Sequence, residues 1–267
     1  GSPNIVVAVF DEGVTSNHPD LPNSRQIRLN GSNFGYGNRN DPSPQNNANH
    51  GNACAGVIAA SMDNNEGIAG IAPNCKIMPL RWDNYTAGIE MADGIKFAVD
   101  HGANIISCSW GFNSDNPTLV PAIISAIEYA INNGVIVVFA ASNSAWHSYN
   151  YNGQVSFPAS ANIDNLITVG ASDRYDKIAE YSPSSSLIDV VAPSHRAYSE
   201  QIEGETFEMW SLDIPENNGY NPAPYELTDD VINYGELLPN FGINYKSYTG
   251  RFGGTSHACP VVAGVVA

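Results

Sequence analysis

A turn followed by a serine near the C-terminus has the composition of a nucleophile site. Gly253 and Gly254 permit a tight backbone turn, and Ser256 stands where a run of small and apolar residues begins a helix. At a helix N-terminus, the backbone N–H and the helix dipole would both stabilise an oxyanion formed by attack of the serine hydroxyl. Pro260 fits a helix that starts here, because proline is tolerated in the first turn. Taken alone, the pattern also describes an ordinary serine N-cap on a buried helix.

Four more polar residues stand at the ends or beginnings of predicted elements. Asp11, Ser109 and Asn143 each follow a strand-like apolar run, whereas His50 opens a helix of small residues. An aspartate, a histidine and Ser256 supply what acyl transfer requires: a nucleophile, a base for its proton, and a carboxylate that fixes the base's tautomer. Asn143 offers a side-chain N–H as a second oxyanion donor. Each has an ordinary explanation alone, as a turn residue, a helix cap or a loop amide, but together they predict a hydrolytic site.

Short apolar runs alternate with helical patterns along the chain, and this alternation determines where those residues lie. Strand, helix and strand repeated in this way predict an α/β three-layer sandwich, a mostly parallel central sheet flanked by helices. In such sheets functional groups collect at the carboxyl ends of the strands. The predicted strands are 5–10, 76–80, 104–107, 135–139, 166–169 and 188–191, and the predicted helices are 87–101, 117–133 and one that opens at His50.

The composition bounds the domain count and excludes two classes of partner. A chain of 267 residues, 43% hydrophobic and 14% charged, suits one large domain with a sizeable core. The net charge of −16 argues against nucleic acid or an anionic membrane as partner, and no apolar run is long enough to span a bilayer. The lack of a GxGxxG or GxxxxGK fingerprint argues against a nucleotide-binding protein. Four cysteines without a CxxC pair predict buried thiols: Cys54, Cys75, Cys108 and Cys259.

Six short motifs follow one another in the chain: Asp11-Glu12-Gly13-Val14, His18-Pro19-Asp20-Leu21, His50-Gly51, Ser109-Trp110-Gly111, Asn143 and Gly254-Thr255-Ser256. Together they resemble the subtilisin-like serine proteases (peptidase S8, the subtilase family), with some features of the kexin and furin branch. The resemblance implies a subtilisin-like fold and a serine endopeptidase that hydrolyses extended polypeptides through an acyl-enzyme on Ser256. Asp11, His50 and Ser256 would form its triad, and Asn143 would donate to the oxyanion. A noncatalytic peptide-binding pseudoprotease and an acyl-transferring relative are the alternatives.

The resemblance also implies how a peptide would be bound. Ser109, Trp110 and Gly111 would form a strand that pairs with the extended substrate and walls the S1 pocket, and Ala141 and Ser142 would complete the substrate-binding set. The Phe157-Pro158 pair resembles a family turn with a cis proline. Where the kexin and furin branch has acidic S1 residues this chain has Ser114 and Asn152, which argues against cleavage after Arg or Lys, although the neighbouring Asp115 keeps that preference open.

A calcium site is implied by the resemblance of Asp20 and the loop 62–68 to a family site. Its side-chain ligands would be Asp20 and Asn64, and its carbonyl ligands would come from Met62, Glu66 and Ile68. Oxygen-only ligation from a glycine-containing loop is what a hard cation requires. The alternative is an ordinary solvated turn.

The region 195–245 departs most from the family pattern, and we expect a loop-rich acidic insertion there. The whole chain, 1–267, is expected to be one subtilisin-like catalytic domain that is truncated at both ends. The resemblance further implies an N-terminal propeptide outside this chain and an extracellular or cell-surface location, with a polypeptide as the substrate partner.

Overall fold

A computed structural model describes residues 1–45, 48–84, 86, 88–112, 119–144, 153–195, 209–215, 219 and 247–267, except for the side chain of Arg251. Its central element is a six-stranded sheet in the order β2-β1-β3-β4-β5-β6, and every neighbouring pair is parallel. This confirms the predicted parallel sheet. The strands are β1 (Val6–Asp11), β2 (Lys76–Arg81), β3 (Ile105–Cys108), β4 (Ile136–Ala140), β5 (Leu166–Ser172) and β6 (Val190–Pro193).

Helices cover both faces of this sheet, so the three-layer prediction is also confirmed. The alternation of side chains along β1 explains the layering: Val7 and Val9 face a core shared with α1 and α4, whereas Ala8 and Phe10 face a core shared with α2 and α3. The helices are α1 (His50–Ala59), α2 (Gly88–Asp100), α3 (Leu119–Asn132) and α4 (Thr255–Val266), and two short 3₁₀ helices span Asn23–Arg25 and Ala159–Ala161. Within the described part of the chain, no helix has the length and apolarity needed to cross a membrane.

Most ends of the predicted strands and helices differ by one to three residues from the observed ones, and two differences from the sequence-based expectation have a clear structural cause. β6 begins at Val190 rather than at Ile188, because the Ile188 N–H still donates to Ser185 in the preceding turn. Pro260 is the sixth residue of α4 and not part of its first turn. Proline was expected only in the first turn, so this expectation was wrong, and the contact that permits it is described below.

A second, antiparallel pair of strands leads into the nucleophile helix. β7 (Met209–Leu212) pairs with β8 (Tyr248–Phe252), and β8 ends three residues before α4 begins. Most of the predicted insertion 195–245, and the predicted S1 positions Ser114, Asp115 and Asn152, lie outside the described residues.

Candidate active site

The topology of the sheet creates a crevice at the carboxyl ends of its strands. β1 lies between β2 and β3, and the chain leaves β1 for one neighbour before it returns to the other side. Such a switch point leaves an opening at the carboxyl ends of the strands, where ligands bind in open α/β sheets. Asp11 is the last residue of β1, and Ser109 directly follows β3. Both residues therefore lie at the crevice because their strands end there.

Asp11 and His50 form a hydrogen-bonded pair in this crevice. His50 is the first residue of α1, and its Nδ1 lies 2.8 Å from Asp11 Oδ1. Asp11 is buried, and the same oxygen accepts the Glu12 N–H at 2.8 Å. Gly51 makes the approach possible, because a Cβ there would overlap the Gly13 carbonyl oxygen. The contact requires a proton on Nδ1, which leaves Nε2 of neutral His50 as the acceptor.

The charge of Asp11 controls the protonation of its neighbours. Burial alone would lower the pKa of His50, but the Asp11 carboxylate and its hydrogen bond outweigh burial and raise that pKa well above the usual value. Burial, followed by repulsion from Asp11, raises the pKa of Cys54 to about 11. Cys54 is therefore a neutral thiol at neutral pH and not a competing nucleophile. Within the described residues, one group of acidic, histidine and cysteine side chains lies close enough together to share a metal ion: Asp11, His50 and Cys54. The atoms that would bind the ion already form hydrogen bonds with each other.

Ser256 is the second residue of α4 and follows a glycine with a special conformation. The N-cap residue Gly254 has φ 75° and ψ −174°, which only glycine adopts readily. Ser256 Oγ donates to the Ser109 carbonyl at 3.3 Å, and within the described part of the chain it makes no hydrogen bond to His50. Cys54 Sγ nevertheless lies 3.8 Å from His50 Nδ1 and 3.9 Å from the Ser256 carbonyl oxygen. The nucleophile and the base thus border the same thiol.

A hydrogen bond from Ser109 explains why Pro260 is tolerated inside α4. A proline has no N–H, so the carbonyl of Ser256, four residues earlier, loses its helical partner. The Ser109 hydroxyl replaces that partner and donates to the Ser256 carbonyl at 2.9 Å. Ser109 is consequently bonded to Ser256 twice, once through its side chain and once through its own carbonyl.

Asn143 is oriented by the residue that precedes the nucleophile. Its Oδ1 accepts the Thr255 N–H at 2.9 Å and the Thr255 hydroxyl at 3.1 Å. Because Oδ1 faces Thr255, the amide NH₂ must point the other way. Asn143 and Ser256 both line a cavity of about 260 Å³. Four other predicted residues line it as well: Ser109, Trp110, Gly111 and Ser142. The lining also includes three residues that the sequence analysis did not predict: Ala140, Ser156 and Thr255.

Two of the missed residues had a signal in the sequence. Thr255 belongs to the Gly-Thr-Ser motif itself, and Ser156 directly precedes the Phe157-Pro158 pair, whose peptide bond is cis as expected. Ser156 also touches the predicted substrate strand, since a Cβ on Gly111 would overlap its hydroxyl. Residues next to a motif are therefore the first to consider when a cavity is predicted from sequence.

The predicted substrate strand is anchored by Trp110. The indole N–H donates to the Phe10 carbonyl at 2.8 Å, and the ring packs edge-on against Phe139 at a centroid distance of 5.0 Å. Trp110 is 7% exposed, so most of its side chain belongs to the α2 and α3 core. Ala141 is fully buried and is not among the residues that line the cavity. Ser142 does line it, with φ 121°.

The predicted calcium residues lie around one buried carboxylate. Asp20 is 0% exposed, and its two oxygens accept from Asn64 Nδ2 at 2.7 Å and from the Ile68 N–H at 3.0 Å. Glu66 donates its N–H to Asn64 Oδ1 at 3.2 Å. Met62, at the start of the loop, is 48% exposed. The structure thus brings Asp20, Asn64 and Ile68 together, with Glu66 bonded to Asn64.

The sequence of the chain is similar to one known protein family and to several of its members. The sequence profile described as "Subtilase family" (Peptidase S8) matches residues 2–267. A "Calcium-dependent protease" of Trichormus variabilis (strain ATCC 29413 / PCC 7937) is 30% identical over 279 residues, which cover 98% of this chain and 38% of that protein. The "Major intracellular serine protease" of Bacillus subtilis (strain 168) is 37% identical over 202 residues, 73% of this chain and 60% of that protein. The chain therefore spans less than two thirds of either relative.

A solved structure has the same fold. The crystal structure of a lanthipeptide protease superposes with a TM-score of 0.71 at 24% sequence identity, and the match covers 99% of this chain and 72% of that one. At this level of identity the similarity concerns the fold alone.

Proposed function

Because this chain belongs to the subtilase family, we propose that it is a serine endopeptidase that hydrolyses peptide bonds of extended polypeptides. The observation that carries the proposal is the 2.8 Å contact between Asp11 and His50 in the crevice that also holds Ser256 at the start of α4. A buried carboxylate, an oriented imidazole and a serine at a helix N-terminus are the parts that acyl transfer requires.

Each residue has one role in the proposed reaction. Ser256 Oγ attacks the scissile carbonyl carbon while His50 Nε2 takes the hydroxyl proton, and Asp11 stabilises the imidazolium that forms. The Ser256 N–H and the Asn143 NH₂ donate to the oxyanion. The tetrahedral intermediate collapses as the C–N bond breaks, and His50 returns the proton to the leaving amine. Water then attacks the acyl-enzyme by the same steps and releases the acid.

The substrate would lie along the segment that follows β3, which the sequence predicted as a substrate-binding strand. We propose that the backbone of Ser109, Trp110 and Gly111 pairs with the peptide, because the buried indole fixes this segment while its residues line the cavity. Ala141 and Ser142 are proposed to form the facing wall. Ala141 is fully buried, and its N–H and carbonyl are bonded to Val169 and Ser156, so its part is to hold this wall in place.

One observation favours the alternative of a noncatalytic peptide-binding pseudoprotease. Ser256 Oγ donates to the Ser109 carbonyl rather than to His50. In enzymes without substrate, catalytic hydrogen bonds are often unformed and tighten only in the substrate complex. The alternative therefore has to be tested by chemistry at Ser256.

Covalent labelling with a fluorophosphonate probe is the test of the proposed function. The probe reacts with a serine that is activated by a base and placed beside oxyanion donors. We expect a single adduct, which peptide mapping by mass spectrometry places on Ser256, and we expect no adduct on the Ser256→Ala variant. A folded, calcium-loaded protein that remains unlabelled would contradict the endopeptidase proposal and support the pseudoprotease.

We further propose a structural calcium ion at Asp20, and the donor set fits such an ion. The carboxylate is buried, and no ion pair to a basic side chain is found for it among the described residues. Burial raises the pKa of Asp20, a cost that a bound cation would offset. The loop curls tightly, with positive φ at Asp63, Asn65 and Gly67. Such a loop can turn several carbonyls toward one ion.

The proposed ligands are Asp20, the amide oxygen of Asn64 and the carbonyls of Met62, Glu66 and Ile68. Asn64 now donates its NH₂ to Asp20, so ligation through its oxygen requires the amide to rotate. Bound calcium would place a positive charge directly on the Asp20 carboxylate and would fix the loop. The name of the Trichormus relative, a calcium-dependent protease, supports the proposal.

Calcium should raise the melting temperature, and Asp20 should be required for this effect. At a calcium concentration of about 100 times Kd the fold gains about 2.7 kcal/mol, which shifts Tm by roughly 5–10 °C. Differential scanning calorimetry with calcium and with a chelator measures the shift. We expect Asp20→Asn to lose it, whereas Asp63→Asn, in the same loop at φ 57°, should keep it because asparagine tolerates that conformation. An equal shift in Asp20→Asn would refute the site.

The remaining proposals concern the whole protein. We propose that residues 1–267 form one catalytic domain with an acidic insertion near 195–245, that an N-terminal propeptide accompanies it, and that the protein is extracellular or at the cell surface. The family resemblance supports these three proposals. The Bacillus relative is named as an intracellular protease, so the proposed location rests on the family resemblance alone.

A further inference from the structure

Two residues that follow β6 form hydrogen bonds to the turn that precedes the nucleophile. Gly254 donates its N–H to His195 Nδ1 at 3.1 Å, and its carbonyl accepts the Ser194 hydroxyl at 3.0 Å. Both polar groups of Gly254 are therefore fixed by neighbouring residues of one segment. Since Gly254 is the N-cap of α4, these two bonds help to set the direction in which the helix and Ser256 begin.

The His195 ring is itself fixed by its surroundings. It is 4% exposed and packs directly on Gly253, where a Cβ would overlap the ring. Tyr181 lies on another side, with its ring centroid 4.8 Å away, and its hydroxyl donates to the His195 carbonyl at 2.8 Å. These contacts explain why residue 253 must be glycine, and they give the imidazole little room to move.

The contact with Gly254 requires one tautomer of His195. A backbone N–H can only donate, so Nδ1 must be unprotonated and the ring proton must lie on Nε2. Burial, and then the charge of His257, lower the pKa of His195 to about 4. Burial also lowers the pKa of His257 to about 4, and its Nδ1 lies 3.0 Å from the Pro193 carbonyl. The described titratable groups around His195 are His257 and Tyr181, and at neutral pH all three are uncharged.

We propose that His195 is a positioning residue for the nucleophile: by accepting the Gly254 N–H, it holds the turn from which Ser256 and its oxyanion-binding N–H project. The inference rests on the proposed function, because it assigns a role in the reaction at Ser256. A small displacement of a catalytic group can cost about 10²-fold in rate without weakening substrate binding. Loss of this contact should therefore lower kcat and leave KM unchanged.

Three variants test the proposal. His195→Phe keeps a planar buried ring but removes the acceptor, whereas His195→Asn keeps an acceptor oxygen close to the position of Nδ1. His101→Phe is the matched control, since this imidazole is exposed at the end of α2. With rates normalised to active sites titrated by the fluorophosphonate, we expect kcat of His195→Phe to fall by about 10-fold to 100-fold. KM should be unchanged, and kcat of His195→Asn should return to within about 3-fold of the wild type.

A spectroscopic measurement keeps this test separate from the test of the proposed function. In a ¹⁵N-labelled Ser256→Ala protein, long-range ¹⁵N–¹H spectra report which ring nitrogen of each histidine carries the proton, and the His195→Asn variant assigns the signal. We expect an unprotonated Nδ1 at neutral pH. A protonated Nδ1, or a His195→Phe enzyme with the kcat of the wild type, would overturn the inference. A wild type that neither labels nor turns over overturns the proposed function, and the positioning role with it.

Discussion

Replacing Ser256 with alanine should lower kcat for a peptide substrate by about 10⁶, which is the largest effect expected of any single change in this chain. The expected size is the one measured for the equivalent change in subtilisin, another member of the family. Its physical reason is the loss of the covalent route: without Oγ, water must attack the peptide directly. Continuous hydrolysis of a fluorogenic peptide, at matched concentrations of wild type and variant, measures the difference.

Two further variants show whether the loss is specific to the nucleophile. Ser160→Ala, in the short helix Ala159–Ala161 and outside the cavity lining, should retain the wild-type rate. Asn143→Leu should lower kcat by about 10²–10³ with little change in KM, a range that also comes from subtilisin. If Ser256→Ala retained more than about a tenth of the activity, another residue would have to be the nucleophile.

The positions of the proposed catalytic residues could be predicted because they depend on where elements end. Asp11 ends a strand and Ser109 follows one, whereas His50 and Ser256 lie at the beginnings of helices. In a parallel sheet these positions all lie near the carboxyl ends of the strands. Apolar patterning predicts where these elements end to within a few residues. The order of the motifs then assigned a role to each residue without any knowledge of distances.

The contacts that orient those residues could not be predicted, because they join distant parts of the chain. The hydroxyl of Ser109 replaces the helical partner of the Ser256 carbonyl across 147 residues, and this contact helps to explain Pro260 in the second turn of α4. In sequence His195 is an ordinary histidine, since no spacing connects it to Gly254. Trp110 is a second example. The motif predicted that its backbone binds the substrate, but nothing in the motif predicted that its indole packs in the core.

Replacing Asp11 with asparagine should have the second largest effect, a fall in kcat of about 10⁴ together with a change in the pH profile. Asparagine at the position of Asp11 can donate to His50 Nδ1, which favours the wrong tautomer and leaves no free Nε2 acceptor for the serine proton. The carboxylate also raises the pKa of His50 above its usual value. In the wild type kcat/KM should therefore rise with pH through a pKa above 6.5, and in the variant this limb should move to lower pH.

The same linkage has a consequence for stability that gives an independent measurement. A group whose pKa is higher in the folded state stabilises the fold fully below its unfolded pKa, and the contribution disappears as pH rises through the folded pKa. The free energy of unfolding gained from the Asp11–His50 pair should thus be larger near pH 6 than above the raised pKa of His50. Urea unfolding of wild type and Asp11→Asn at both pH values measures it, with the exposed Asp93→Asn as the control. The kinetic pH profile gives the contradicting outcome. If kcat/KM rose with pH through the same pKa in the wild type and in Asp11→Asn, Asp11 would not set the protonation of His50, and the proposed roles of the pair would be wrong.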